Sequence, residues 1–287
     1  MVRIAVLGYL SIDEVTTPDG VTVTEPGGAA LYGALGARAA GATAAIVAAV
    51  GEDYPGGVLA ALAALGIDVA AVVTRRGPTR RSHQVHDRSG RRTSPHFAAG
   101  AWWERTRALA PPLPGQGPWD AWILCPMPAT AATAAAHAGR ASRVLIAADT
   151  SEAFAKAEAA AILRLADGVD LFAPSREETR LLLPGLDDDA AVRRLAQGGA
   201  RVLHKRGADG LAYLEAPGDA LRRVPAPEGR VVDPTGAGDA ALGAFVARLA
   251  AGQGAERALK AAREVAGRAI AEIGPRGLGL VTKVMDR

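Results

Sequence analysis

Cysteine is almost missing from this chain. The single Cys125 excludes an internal disulfide and fits a reducing cytoplasm. Aromatic residues make up only 4% of the sequence, so the core must be closed by Ala, Val and Leu with tightly approaching helices. Long apolar runs are also missing. The longest uncharged apolar-rich stretch, Ala39 to Gly51, is too short to span a bilayer and contains glycines. Asp13 and Glu14 directly follow a short apolar strand, which is not the pattern of a signal peptide. No strong excess of one charge exists either. A net charge of +3 on 287 residues gives no reason to expect nucleic acid as a partner. No internal repeat or low-complexity tract interrupts the chain. The expectation is a cytoplasmic protein with no membrane and no nucleic-acid partner.

What is present is an alternation of short apolar strands and helical stretches. Strands are expected at Arg3 to Leu10, Ala44 to Val50, Trp119 to Cys125, Val144 to Ala148, Val169 to Pro174 and Arg201 to His204. Helices are expected at Ala29 to Ala40, Gly51 to Leu65, Ala131 to Gly139, Glu152 to Ala166 and Ala255 to Ile273. Thr16 to Thr24 reads as a small hairpin turning at Pro18-Asp19-Gly20, and Leu211 to Leu214 pairs with Arg222 to Val224. This order predicts a mostly parallel sheet covered by helices on both faces. Pro111 to Pro118 is a loop rather than a domain linker, because a strand pattern resumes at once.

The stretch Val231 to Leu249 carries the sharpest chemistry. Val231-Val232 reads as a short strand that breaks at Asp233-Pro234, passes through Gly236-Ala237-Gly238 and continues as a small-residue helix. A glycine turn feeding a helix start is an anion site, because free N–H groups and the helix dipole point outward together. Asp239 falls in the first turn. There it is a good helix cap, or it is a base beside a phosphate cradle that takes a proton from an attacking hydroxyl.

Asp233-Pro-Thr-Gly-Ala-Gly-Asp239, followed by Gly243-Ala244-Phe245-Val246, closely resembles the C-terminal motif of the ribokinase-like (PfkB) carbohydrate kinases. That resemblance implies a ribokinase-like three-layer α/β sandwich, with a small β-strand lid built from about 11–25 and 72–100. It implies an ATP-dependent transfer of phosphate to an alcohol of a sugar, polyol or nucleoside. Asp239 would be the catalytic base, and the N–H groups of Gly236, Ala237 and Gly238 the anion hole. The Gly8-x-x-x-x-Asp13 spacing is similar to the family's first strand, whose aspartate binds substrate hydroxyls, as a carboxylate can do for a polyol. Gly27-Gly28 matches the family's glycine pair, but the asparagine that usually follows is missing. That departure implies a substrate outside the common ribose or fructose pattern, or a contact supplied by the Tyr32 hydroxyl. After Pro174 the family shows Asn-x-x-Glu; here Ser175 replaces the asparagine and Glu178 keeps the glutamate, which in relatives organises Mg²⁺ through water. Ser175 and Glu178 also satisfy the pattern of a capping box. The resemblance places Ser175, Lys205, Gly207 and Thr235 around the nucleotide. The closing loop 274–277 lies in a region that in relatives borders adenine and a monovalent-cation site, such as K⁺.

Gly51-Glu52-Asp53 and Leu65-Gly66-Ile67-Asp68 also resemble the family, with Asp53 expected to cap a helix, Gly66 to end it, and Gly51 a candidate to lie near substrate. Val72 to Phe97 reads as a hairpin turning at Ser89-Gly90 and carrying Arg75, Arg76, Arg80, Arg81, Arg88, Arg91 and Arg92. These are a solvated edge that resists aggregation, or a basic patch that steers an anionic acceptor. His96 is a candidate lid contact with substrate. Trp102-Trp103 reads as hinge packing in preference to a stacking platform. Asp149, at a strand's carboxyl end, is a loop cap or a cleft residue. Two alternatives accompany the kinase reading: a sugar-phosphate kinase using the arginine-rich lid, and a catalytically weak sensor of a polyol or nucleotide. An exposed lid hairpin would also allow a homodimer.

Overall fold

The computed structural model describes residues 1–17, 19–85, 100–115 and 117–281. The chain runs β1 (Arg3–Leu7), β2 (Ser11–Thr16), β3 (Thr22–Gly27), α1 (Ala29–Ala39), β4 (Thr43–Val50), α2 (Gly56–Ala64), β5 (Asp68–Thr74), β6 (Arg80–Val85) and α3 (Gly100–Ala108). It continues with β7 (Ala121–Leu124), α4 (Ala129–Ala141), β8 (Leu145–Ala148), α5 (Glu152–Ala166), β9 (Leu171–Phe172), α6 (Arg176–Leu182) and α7 (Asp188–Ala196). Last come β10 (Arg201–Lys205), β11 (Leu211–Leu214), β12 (Arg222–Val224), α8 (Ala237–Ala250) and α9 (Gly254–Ala269), with a closing 3₁₀ turn at Gly274–Leu278.

The large sheet has nine strands in the order β12-β11-β10-β9-β8-β7-β1-β4-β5. It is parallel from β10 to β5 and antiparallel at the β10-β11-β12 edge. Its strands are apolar on both faces, as a parallel sheet covered on both sides requires. Successive residues feed two separate cores. Ile4, Val6, Ile46 and Ile123 pack toward α1, α2, α8 and α9. Ala5, Leu7, Val47 and Leu124 pack toward α4, α5 and α7. Helix α9 shows how the pattern works: Ala255, Ala258, Leu259, Ala262, Val265 and Ala269 are buried at helical spacing while the opposite face stays charged.

A second sheet, β3-β2-β6, stands apart from the first. Its β2–β3 hairpin is antiparallel, and β6 joins β2 in parallel, with Ser11 opposite Arg80 and Asp13 opposite Ser82. Several expectations need correction here. The hairpin spans Ser11 to Gly27 rather than Thr16 to Thr24, because the ladder continues through Glu25 and Pro26. The 72–97 stretch is not one hairpin: β5 closes the edge of the large sheet, whereas β6 belongs to the small one. The turn at Ser89-Gly90, His96, and arginines 88, 91 and 92 lie outside the described residues. Val231-Val232 is not a strand. The Ile270 carbonyl at the end of α9 takes the N–H groups of Val232 and Asp233, at 2.8 and 3.3 Å, so no sheet partner is used. Asp53 does not cap α2, whose N-cap is Pro55. It accepts instead from the Thr79 N–H at 2.6 Å and pairs with Arg81 at 2.7 Å, tying the α2 approach to the β5–β6 crossover. Gly66 does end its helix, with φ 82° and its N–H on Ala63. Helix α7, capped by Asp187, was not anticipated.

Candidate functional site

The 233–239 turn is pinned at its start. Asp233 is buried, and its two carboxylate oxygens accept from the Thr235 N–H at 2.9 Å and the Gly274 N–H at 2.8 Å. The turn is thereby fastened to the closing 3₁₀ segment. Gly236 is left-handed at φ 72°, and a Cβ there would lie 2.2 Å from the Tyr32 ring. Only glycine satisfies both conditions. Helix α8 then begins at Ala237, with Asp239 in its first turn. Asp239 is partly exposed, whereas Ala240 to Ala247 are buried. Within the turn the Ala237 N–H points back to the Pro234 carbonyl at 3.3 Å. The small residues of the motif do separate work: a Cβ on Gly243 would fall 2.0 Å from the Gly33 carbonyl, and one on Gly36 would fall 2.1 Å from that of Ala240. Close contact of α1 and α8 therefore sets Tyr32 over the Gly236 turn.

Beside this turn stand residues from the carboxyl ends of three parallel strands, where open α/β sheets place ligands. Lys205 ends β10, Asp149 follows β8, and Ser175 opens α6 beyond β9. The Lys205 Nζ lies 2.5 Å from Asp149 Oδ2, with Lys205 only 11% and Asp149 1% exposed at the side chain. A Cβ on Gly238 would lie 3.1 Å from Lys205 Cδ, so the lysine stem runs along the start of α8. Burial alone would lower the Lys205 pKa, but Asp149, Glu178 and Asp239 outweigh it and hold the ammonium charged. Ser175 and Glu178 form a complete capping box: Ser175 N–H donates to Glu178 Oε2 at 2.6 Å, and Glu178 N–H donates to Ser175 Oγ at 3.2 Å. Burial pushes the Glu178 carboxyl up to about 8, against the pull of Lys205. Sequence reasoning left Asp149 between a cap and a cleft residue. Its position after Leu-Ile-Ala-Ala at a strand end was the available signal, and its partner Lys205 was not legible.

The other candidates gather on the small sheet. Asp13 is 5% exposed and accepts from Ser82 Oγ at 2.8 Å, while Gln84 Nε2 donates onward to Ser82 Oγ at 2.8 Å. Burial raises the Asp13 pKa, opposed by its serine hydrogen bonds and by Arg80. Gly27 makes room for this carboxylate, since a Cβ there would lie 2.0 Å from Asp13 Oδ2. Gly28, at φ 101°, likewise fits against the Tyr9 carbonyl, 2.2 Å from where a Cβ would stand. Tyr32 is 2% exposed; burial, then Asp233, Asp13, Glu25 and Asp239, raise its hydroxyl pKa. Tyr32 is thus the residue on which the small sheet and the Gly236 turn converge. Glu25 and Arg276 form an ion pair that ties β3 to the closing turn.

Two expectations change on this side. Arg80 is not a solvated edge residue: its guanidinium sits 4.1 Å from the Tyr9 ring centroid and 4.6 Å from that of Trp102. Trp102 and Trp103 lie on α3, in edge contact at 4.9 Å, and both pack on Phe154 at 5.9 and 5.5 Å, which agrees with a packing role. Gly51 is covered by the crossover, its N–H on Thr79 Oγ1 at 3.0 Å and its Cβ position 2.2 Å from the Thr79 nitrogen. Gly207 opens a short 3₁₀ turn after Lys205, and Thr235 Oγ1 is buried without a hydrogen-bond partner among the described residues. Among those residues no group of three His, Cys, Asp or Glu side chains is placed to hold a metal, and no helix is long and apolar enough to cross a membrane.

Comparison with known proteins agrees with this fold. The sequence profile of the pfkB family carbohydrate kinases matches residues 2–281. A cytidine kinase of Thermococcus kodakarensis is 28% identical over 274 residues, covering 92% of this chain and 96% of that protein. Among solved structures, a nucleoside kinase of Burkholderia thailandensis bound to inosine superposes with a TM-score of 0.80 at 19% identity, over 99% of this chain and 95% of its own. A ribokinase of Cryptococcus neoformans bound to ADP gives 0.75 at 20% identity, over 95% and 94%. The match spans both sheets and the turn at Gly236, and the chain belongs to the pfkB family of carbohydrate kinases.

Proposed function

We propose that this kinase transfers the γ-phosphoryl group of ATP to an alcohol of a nucleoside. The observation that carries the reading is the position of Asp239. It stands partly exposed in the first turn of α8, between the left-handed Gly236 turn and the buried Lys205. In the mechanism, Asp13, held in place by the Ser82 hydroxyl, orients the acceptor by accepting hydrogen bonds from its hydroxyls. Asp239 takes the hydroxyl proton as the oxygen bonds to the γ-phosphorus. The bond from that phosphorus to the bridging oxygen of ADP breaks, and ADP leaves. The Ala237 N–H is turned to Pro234, so the Gly236 and Gly238 N–H groups and the Lys205 ammonium stabilise the charge on the moving group. Closure of the small sheet as a lid would keep water from the donor.

Mg²⁺, when bound, neutralises the donor phosphates; Glu178 would reach it through water. The site's donor set suits an ion carried mainly by phosphates, since the described residues supply no carboxylate cluster of their own. The nucleoside acceptor is supported by the relative with cytidine kinase activity, which matches this chain along nearly its whole length. Replacing Asp239 tests the reading. A positioned base supplies about 10²- to 10⁴-fold in rate, so Asp239→Asn lowers turnover at least about a hundredfold while the unfolding midpoint stays within a few degrees. Near-normal turnover in that variant overturns the assignment.

A further inference from the structure

Arg80 is held in a built slot. The Tyr9 ring on one side is fixed by its hydroxyl, which donates to the Thr106 carbonyl of α3 at 2.8 Å. The Trp102 ring on the other is fixed by Trp103 and Phe154. A guanidinium between two rings can hydrogen-bond only within its own plane. Among the described residues Arg80 has no ion-pair partner and no hydrogen-bond acceptor, and its Nε is buried. A buried cationic donor left open is costly, so a stack that served packing alone would be as well made by an apolar side chain. On β6 the residues Arg80, Ser82 and Gln84 alternate with the exposed Arg81 and His83. Arg80 therefore shares the inward face with Ser82 and, across the ladder, with Ser11 and Asp13. That face is the one given above to the acceptor.

We infer that Arg80 is a specificity-determining residue that donates in-plane N–H bonds to a carbonyl oxygen on the base of the acceptor nucleoside. A phosphate in the same place would meet the Asp13 carboxylate on the same face, which disfavours a second anion and does not disfavour a neutral carbonyl. This inference rests on the nucleoside-kinase reading.

The experiment compares kcat/KM for cytidine, uridine and inosine with that for a base-free methyl riboside and for ribose 5-phosphate. It uses wild type, Arg80→Met and Arg80→Lys. The expected result is a nucleoside-to-riboside ratio that falls about 10- to 100-fold in Arg80→Met, carried mostly by KM. Arg80→Lys keeps a cation between the rings but loses the planar fork, so it also lowers the ratio and serves if the Met variant does not fold. Nucleoside and riboside activity falling together, with the ratio unchanged, makes Arg80 a packing residue and overturns the inference. A loss concentrated on ribose 5-phosphate overturns it in favour of phosphate recognition. Wild type that turns over the riboside and no nucleoside overturns the parent reading, and this result is visible before any variant is made.

Discussion

In the proposed function, the phosphoryl side of the site and the acceptor side are assembled in different ways. The first is one contiguous stretch, Asp233 to Asp239, with Lys205, Asp149 and Glu178 added from neighbouring strand ends. Its chemistry comes largely from backbone: a left-handed glycine, a helix start and a dipole. The second is gathered from β2, β3, β6 and α1, and its chemistry is in side chains: Asp13, Ser82, Gln84, Tyr32 and Arg80. Backbone sites tolerate little change in sequence, because a glycine's shape is the function. Side-chain sites can be rewritten one residue at a time. The difference accounts for a phosphoryl motif that matches its family closely beside an acceptor wall that departs from it at Tyr32.

The comparison can be broken at its seam. Gly236→Ala places a Cβ 2.2 Å from the Tyr32 ring at a positive φ, disturbing both sides at once. A misplacement of about 1 Å near the chemistry can cost a hundredfold in rate, so turnover should fall by at least about that factor. Gly238→Ala meets only the flexible Lys205 stem at 3.1 Å and should keep the fold stable; steady-state kinetics and thermal melts on the pair separate the two. Lys205→Met sharpens the phosphoryl side. It leaves Asp149 buried without its partner, and breaking such a pair costs about 3–5 kcal/mol. Urea unfolding should show that loss, and adding Asp149→Asn should recover part of it.

The smallest effect lies just behind the site. His204 is fully buried, with Nε2 3.2 Å from Thr179 Oγ1, and burial pushes its pKa from 6.5 down to about 4. Between those values the unfolded chain binds a proton that the folded chain does not, so wild type loses stability as the pH falls from 6.5 toward 4. The contribution is fully present above 6.5. His204→Gln should flatten that loss by up to about 3 kcal/mol, seen as a changing stability difference across the window. Turnover at pH 7.5 should change little.

The sequence made the large sheet legible because its strands and helices follow clean periods, and α5 and the β11–β12 hairpin fell where the pattern placed them. The Ser175–Glu178 capping box was legible for the same reason, since its two halves lie only three residues apart in sequence. What stayed hidden was pairing at long range. Nothing near Asp149 announces Lys205, and nothing in an arginine-rich stretch separates the stacked Arg80 from the paired Arg81. Asp53 was misread because a carboxylate before a helix is usually a cap, whereas here the Thr79 N–H competes for it more successfully. The 72–97 hairpin failed because alternation reports that strands exist and does not report which sheet they join.

The division of labour between the two sides is tested most directly by the separate kcat and KM values of Asp13→Asn and Asp239→Asn on the best nucleoside acceptor. The account predicts that Asp239→Asn lowers kcat at least about a hundredfold with little change in acceptor KM. It predicts that Asp13→Asn raises acceptor KM about tenfold or more with a smaller effect on kcat. Asp239→Asn turning over at a near-normal rate, or Asp13→Asn leaving acceptor KM untouched, would contradict it.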